Sequence, residues 1–425
     1  MVEDIGWRKY AGRFRTYDRL IDSPPGADVR MIICIPICAE PDLALTLDSL
    51  YEARQSDIHT EVILLFNKND KMQTGELELH DQSWKQSKDW IAQHQSVELK
   101  FFPVYIDHLP DPKGGVGWAR KMAMDEAARR LDSKGIIVCL DADCTVASNY
   151  IAAIFRHFEV FKKQDAASIF YEHHIDHLDL PQRNAIVLYE LHLRYLINAQ
   201  KWCGHPYAFS TVGSAMAVRR KAYLDQGGMN TRSAGEDFYF LQKFIEIGTH
   251  DEIKNTTVFP SARISSRVPF GTGRAMFQIL QEKENWLTTD FQIFHRIKPL
   301  FQSLDKLRDI ALKRPPEESY ETLQRILGVS VDLISYLKHI DFLKECHSIA
   351  INTANLTTFK QRFFRYFNSF RMMKYMHFMS DHNYPEVQVL EGASRLIREM
   401  KVPVPEFQKE DSYLQLFRKH DREKR

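Results

Sequence analysis

The sequence predicts an α/β domain with a largely parallel sheet, followed by a helical C-terminal region. Three observations predict it. Short apolar runs recur at 30–37, 61–66, 97–106 and 135–140. Stretches with helical character separate them, and strands alternating with helices require a sheet of parallel strands joined by crossovers. From about 275 the alternation stops, and the chain becomes rich in Leu, Lys, Phe and Arg with a mostly helical pattern.

Taken in order, residues 1–29 are polar and contain Ser23-Pro24-Pro25-Gly26, so they read as a lead-in arm. RMIICIPI (30–37) has the Ile content of a buried strand. Pro41 opens a helical stretch to about Arg54, with Leu43, Leu47 and Leu50 on one face. EVILLF (61–66) is a second strand, 81–94 a helix, and VELKFFPVYI (97–106) a third strand. An Ala-rich helix over 116–131 leads to GIIVCL (135–140), the fourth strand. Ser148 then caps a helix reaching Lys163. The helical region breaks at Pro315-Pro316 and again at Asp381-His382-Asn383-Tyr384-Pro385, without repeats or low-complexity tracts. The expected division is an arm at 1–29, an α/β domain at 30–274 and a helical region at 275–425. Ligands of such sheets bind beyond the carboxyl ends of the strands, here after Ile35, Phe66, Ile106 and Leu140.

Bulk properties exclude several classes. At 425 residues the chain is too long for one ordinary core, and 44% hydrophobic with 12% aromatic content excludes a disordered chain. With 57 basic and 56 acidic residues the net charge is +1, so no global field favours nucleic acid. Six scattered cysteines form no C-x-x-C pair, which argues against zinc and suits a reducing compartment. The opening MVEDIGWRKY lacks an apolar signal core. The longest apolar run, 31–39, is far short of the ~20 residues of a spanning helix. The expectation is a cytoplasmic protein with no transmembrane segment.

Two acidic clusters carry the chemistry. Asp141-Ala142-Asp143 directly follows the fourth strand. Carboxylates two residues apart at a strand end can share a divalent cation and a ribose, and hard oxygen ligands suit Mg²⁺ or Mn²⁺. An Asp-rich turn capping the next helix is the plainer explanation. Gly235-Glu236-Asp237 opens a helix, where acids also have an ordinary role in complementing the helix dipole. What precedes it at 211–230 reads as strand, short helix and a Gly227-Gly228 turn. The ordered set is Asp-x-Asp, Gly213-Ser214, Gly-Gly and Gly-Glu-Asp.

In this order and spacing the stretch from about 30 to 245 resembles the family 2 glycosyltransferases with the GT-A fold, the nucleotide-diphospho-sugar transferase fold. The matching pieces are Pro36-Ile-Cys-Ala-Glu40, Gly117-Trp-Ala-Arg120-Lys121, Asp141-Ala-Asp143, Gly213-Ser214 and Glu236-Asp237. The resemblance implies transfer of a sugar from a nucleotide-sugar donor to an acceptor hydroxyl, with inversion. It implies that Pro36 and Glu40 lie in the loop facing base and ribose, and that Arg120 faces the diphosphate. Asp141 would contact the ribose or metal waters, and Asp143 would ligate Mn²⁺ or Mg²⁺. Gly213 and Ser214 would line donor sugar and acceptor. Asp237 would be the base, with Glu236 beside it. One departure concerns the nucleotide: the family usually carries an Asp-Asp-Gly-Ser type turn after the second strand, and this chain has Asn67-Lys68-Asn69-Asp70. Asn67 can still pair with a base edge but presents a donor as well as an acceptor. A UDP-sugar is expected first and a GDP-sugar next.

Softer features complete the reading. Lys113-Gly114-Gly115 precedes a helix N-terminus as an anion-cradling loop does, without a P-loop ending. Arg263, Arg267 and Arg274 flank a Gly-Thr-Gly turn that could close on phosphates. His173 and His174 follow a fifth strand-like run, ASIFYEHH, and read as edge histidines. The aromatic and basic segment 359–374 reads as a buried helix with snorkelling bases; the other reading is a peripheral membrane contact reaching a lipid-linked acceptor. A polysaccharide acceptor is the other expectation. Three alternatives stand: a retaining GT-A enzyme of the mannosylglycerate synthase type, a sugar nucleotidyltransferase, and an inactive sugar-binding protein.

Overall fold

The computed structural model describes residues 4–15, 17, 19–68, 72–107, 109, 115–232, 235–265, 271–281, 286–313, 319–404 and 409–423. It divides into two compact units, Met1–His177 with Ser210–Ala275 and Leu178–Phe209 with Met276–Arg425. The first holds α1 (Ile5–Phe14), β1 (Met31–Ile37), α2 (Leu43–Glu52), β2 (Thr60–Asn67), α3 (Thr74–Gln93) and β3 (Leu99–Ile106). It continues through α4 (Val116–Arg130), β4 (Ile136–Cys139), β5 (Cys144–Val146), α5 (Tyr150–Val160) and β6 (Ala166–Tyr171). After α6 (Leu180–Cys203), which belongs to the second unit, come β7 (Met216–Arg219), α7 (Arg220–Asp225), α8 (Glu236–Ile245) and β8 (His250–Pro260).

Eight strands form one mostly parallel sheet in the order β3-β2-β1-β4-β7-β6-β8-β5. The pairs β3/β2, β2/β1, β1/β4 and β6/β8 are parallel; β4/β7, β7/β6 and β8/β5 are antiparallel. β1 and β4 are inner strands covered on both faces, so their apolar runs are continuous rather than alternating. β2 is buried at every position.

Three local details differ from the sequence expectation. Pro36 lies inside β1, opposite Leu65, rather than in the loop beyond it. It is tolerated because the pairing with β4 ends at Cys34–Cys139, so beyond that point β1 has a ladder partner on one side. The helix after β5 is capped at Asn149, one residue beyond Ser148. The stretch 1–29 is more than an arm. In α1, Trp7 and Tyr10 are buried, and the Tyr10 hydroxyl donates to Asp125 Oδ1 at 2.5 Å. Tyr223 donates to the same oxygen at 2.6 Å, and Lys121 Nζ lies 3.0 Å from Oδ2. Two aromatic anchors within a polar composition are enough to dock the helix.

The second unit holds α6, then β9 (Leu287–Thr288), α10 (Phe291–Gln302), α11 (Leu304–Lys313), α12 (Ser319–Leu327), α13 (Val331–His339) and α14 (Phe342–Ile351). It ends with α15 (Leu356–Tyr366), α16 (Ser369–His382), β10 (Val387–Gln388), α17 (Val389–Glu399) and α18 (Glu410–Glu423). α9 (Thr272–Leu280) spans the boundary between Ala275 and Met276. The α6 residues Leu191, Tyr195, Ala199 and Cys203 belong to one core with Phe291, Phe294 and Ile297. Glu190, also on α6, accepts from Arg194 at 2.8 Å and from Arg418 at 2.8 and 2.6 Å. The helical unit thus draws in 178–209, a segment that the boundary at 275 assigns to the α/β domain. The segment 359–374 is two helices, α15 and α16, broken at Phe367-Asn368, where the Asn368 side chain caps α16. Pro315-Pro316 lies outside the described residues. Among the described residues, no helix is long and apolar enough to cross a membrane.

Candidate active site

The carboxyl edge of β1, β2 and β4 collects the segments singled out in the sequence. β4 ends at Cys139, and Leu140 N still donates to Cys34 O at 3.1 Å. The chain then turns, with Cys144 N donating to Asp141 O at 3.2 Å. α2 holds this turn from one side: Thr46 Oγ1 donates to Ala142 O at 2.8 Å, and Val146 N donates to Ser49 Oγ at 3.2 Å. Gly213 and Ser214 enter the same edge because β7 runs antiparallel to β4, with Met216 opposite Cys139. α8 begins there as well. Gly235 adopts φ +70° at its N-cap, a left-handed conformation that suits glycine and turns Glu236 and Asp237 into the first helical turn.

One side chain ties these segments together. Arg120, on α4, is only 2% exposed. It donates through Nη2 to Asp141 Oδ1 at 2.6 Å and through Nη1 to Glu236 Oε1. Burial opposes its charge, but Asp141 and Glu236 outweigh that and raise its pKa further. Such a buried ion cluster persists only where every charge is partnered. The expectation placed Arg120 facing a diphosphate; here its guanidinium pairs with two carboxylates of the same edge. Glu236 is buried and held by Arg120, and burial keeps its carboxyl pKa raised.

Asp237 stands differently. It is part-exposed, and its Oδ1 accepts from Phe238 N at 2.7 Å. Burial pushes its pKa up, against the opposing pull of Arg120. Asp141 and Asp143 also keep solvent access, with side chains 38% and 31% exposed. Burial, then the charges of Asp141 and Glu40, push the Asp143 carboxyl up to about 6.

Glu40 is buried, and both its oxygens accept from Arg263, the residue just beyond β8 that also approaches Asp143 Oδ2 at 3.6 Å. The Glu40 carboxylate, expected in the loop facing base and ribose, is here the partner of Arg263. Asn67 ends β2 at the same edge and is buried. Ser214 is buried and hydrogen-bonds the Cys144 thiol. His173 is buried, with Nε2 3.3 Å from Thr272 Oγ1, and exposed His174 stacks on Phe259 at 4.0 Å. Asp70, Lys113 and Arg267 lie outside the described residues. The sequence reading missed the Arg263–Glu40 pair and the Thr46 support of the acidic turn, because neither partner lies near the other in sequence.

Among the described residues, no group of three or more His, Cys, Asp or Glu side chains is arranged as a metal cage. The donor set at Asp141 and Asp143 nonetheless suits a divalent cation. Both carboxylates keep solvent access, Asp141 while its Oδ1 accepts from Arg120, and Mg²⁺-type ions commonly take one or two carboxylates with the remaining ligands from phosphates and water.

No protein-family model matches the chain, and no curated protein sequence matches it. Among solved structures it is similar to S. aureus TarS residues 1–349 in complex with UDP-GlcNAc, at 12% identity and TM-score 0.39, covering 76% of this chain and 90% of that one. The same TarS piece in complex with UDP gives 12% identity and TM-score 0.37, with 80% and 92% covered.

Proposed function

We propose that this protein is a GT-A type glycosyltransferase that moves a sugar from a nucleoside diphosphate donor to an acceptor hydroxyl. The observation that carries this reading is the Arg120 bridge. It joins the acidic turn after β4 to the acidic start of α8, so that a carboxylate pair and a separate carboxylate share one edge of the sheet.

In the proposed reaction the acceptor oxygen attacks the anomeric carbon while the bond to the diphosphate oxygen breaks. Asp237 takes the acceptor's proton. Its raised pKa strengthens it as a base, since proton transfer is best when the pKa lies nearer the working pH. Glu236 is tied to Arg120, which leaves Asp237 as the acid of that pair able to move a proton. Asp143, with Asp141, would hold Mn²⁺ or Mg²⁺, which when bound supplies positive charge for the departing diphosphate. Direct displacement inverts the anomeric centre. Asn67, at the end of β2, is suited to pair with a base edge, and uridine is the first base to try.

The test is a panel of UDP-, GDP- and dTDP-sugars with Mn²⁺, read by thermal shift and by donor turnover. The true donor binds the native state and raises its melting temperature by mass action. Product anomers read by NMR separate inversion from retention. If no nucleotide sugar shifts the melting temperature or is turned over, the reading fails.

A further inference from the structure

The helical unit contains a cleft formed entirely within its own helices. It opens between α13, α15 and α16 and has a volume of about 680 Å³. That volume falls in the range of small-molecule sites, about 300–1,000 Å³. The break at Phe367-Asn368 creates it. Phe359, Phe363 and Phe367 turn into the core, and Arg365, Arg371 and Lys374 of the same segment line the cleft.

The lining is positive. Arg365, Arg371 and Lys374 are joined by the imidazoles of His339, His377 and His382, and Asp381 is the one carboxylate lining it among the described residues. Arg371 and Lys374 lie against aromatic rings, and Arg365 and Lys374 are exposed. The Arg371 guanidinium lies 4.0 Å from the Tyr366 ring centroid, with Nε donating to Tyr366 O at 3.1 Å. Lys374 Nζ sits 4.7 Å from the Phe370 ring. Arg371 Nη1 also donates to the Tyr366 hydroxyl at 3.1 Å, so the exposed Arg365 offers the paired N–H donors with which a guanidinium grips a phosphate, and Lys374 adds its charge.

The aromatic groups refine the ligand class. Phe378 is stacked by His339 at 5.2 Å and by His382 at 4.2 Å. Tyr366 already carries Arg371 on its ring. These neighbours cover part of the ring-face area on which a planar base would stack. The ring edges are electropositive and suit hydroxyl oxygens and anions instead. We propose that this cleft binds a phosphorylated sugar, with the phosphate at Arg365, Arg371 and Lys374 and the hydroxyl-bearing ring against the aromatic edges.

The test is isothermal titration of the full chain with glucose 6-phosphate, its methyl phosphodiester, glucose, inorganic phosphate and AMP. Either sugar phosphate is expected to bind at least about tenfold more tightly than glucose or phosphate, because charge-assisted hydrogen bonds and ring contacts are made together. The monoester and diester arms tell a terminal phosphate from one within a chain. Arg365→Glu with Lys374→Glu should weaken binding at least about tenfold, and more salt should weaken it further. Phe370→Ala, at a residue 39% exposed, should weaken it severalfold and serves if the charge reversal fails to fold. No heat from either sugar phosphate up to about 10 mM, tighter binding of AMP, or affinity unmoved by every folded variant would overturn the assignment.

Discussion

Gly213 lies against the guanidinium of Arg120: a β-carbon there would sit 2.7 Å from Nη1 and 2.9 Å from Cζ. Real β-carbons do not approach that closely, so Gly213→Ala must shift the guanidinium and strain its pairing with Asp141 and Glu236. A buried carboxylate left unpaired is costly, on the order of 3–5 kcal/mol when one partner of a buried pair is lost. We expect Gly213→Ala to lower the melting temperature and to cut sugar transfer at least about tenfold, with folding checked by circular dichroism. Wild-type values for both would show that Arg120 is not the strut described.

Asp237→Asn keeps the side-chain size and removes the base. General-base catalysis contributes about 10²–10⁴-fold, so turnover should fall by that order while donor affinity changes little. Kinetics with saturating donor give the answer, and transfer at near wild-type rate would exclude Asp237 as the base.

Asp143→Ala should weaken donor binding in the presence of Mn²⁺ at least about tenfold, and chelation should abolish transfer, because the diphosphate and the carboxylates are expected to share the cation. The measurement is titration of the donor with and without the metal. Full turnover in excess chelator, with the sample's metal content measured as nil, would refute it.

His205 gives a pH dependence independent of the site. It is buried, and Nε2 donates to Phe367 O at 3.0 Å. Burial pushes its pKa down to about 4, although the carbonyl contact pulls the other way. The unfolded chain binds this proton near pH 6.5 and the folded one only near 4. Its stabilising contribution is therefore complete above pH 6.5 and is lost as the pH falls toward 4, by up to about 3 kcal/mol at 1.36 kcal/mol per pH unit. Urea unfolding across this range should show the slope, and His205→Gln should flatten it. Parallel slopes for the two proteins would count against His205 as the source.

The parallel core was legible because buried strands leave a local record. MIICIPI, the VILLF within β2 and IIVC are continuous apolar runs, since each is covered on both faces. The positions of Asp141 and Asp237 were legible for a related reason: a strand end and a helix start are both marked by neighbouring residues. α1 was missed because its docking rests on Tyr10 and Asp125, which are 115 residues apart, and nothing in its polar composition shows it. The affiliation of α6 with the helical unit was missed similarly, since its tie to Arg418 crosses 228 residues.

The sequence by itself determined the strand–helix alternation, the helical character after 275 and the acidic clusters at 141–143 and 236–237, because these follow from periodicity and adjacency. Only the tertiary structure decided which charges pair with one another. Arg120 and Glu40 have the residue types of ligand-binding groups, yet each is paired inside the protein, with Asp141 and Glu236 in one case and Arg263 in the other. A charge taken out of water must find a partner, and which partner lies within reach is a matter of chain crossings that no local pattern encodes.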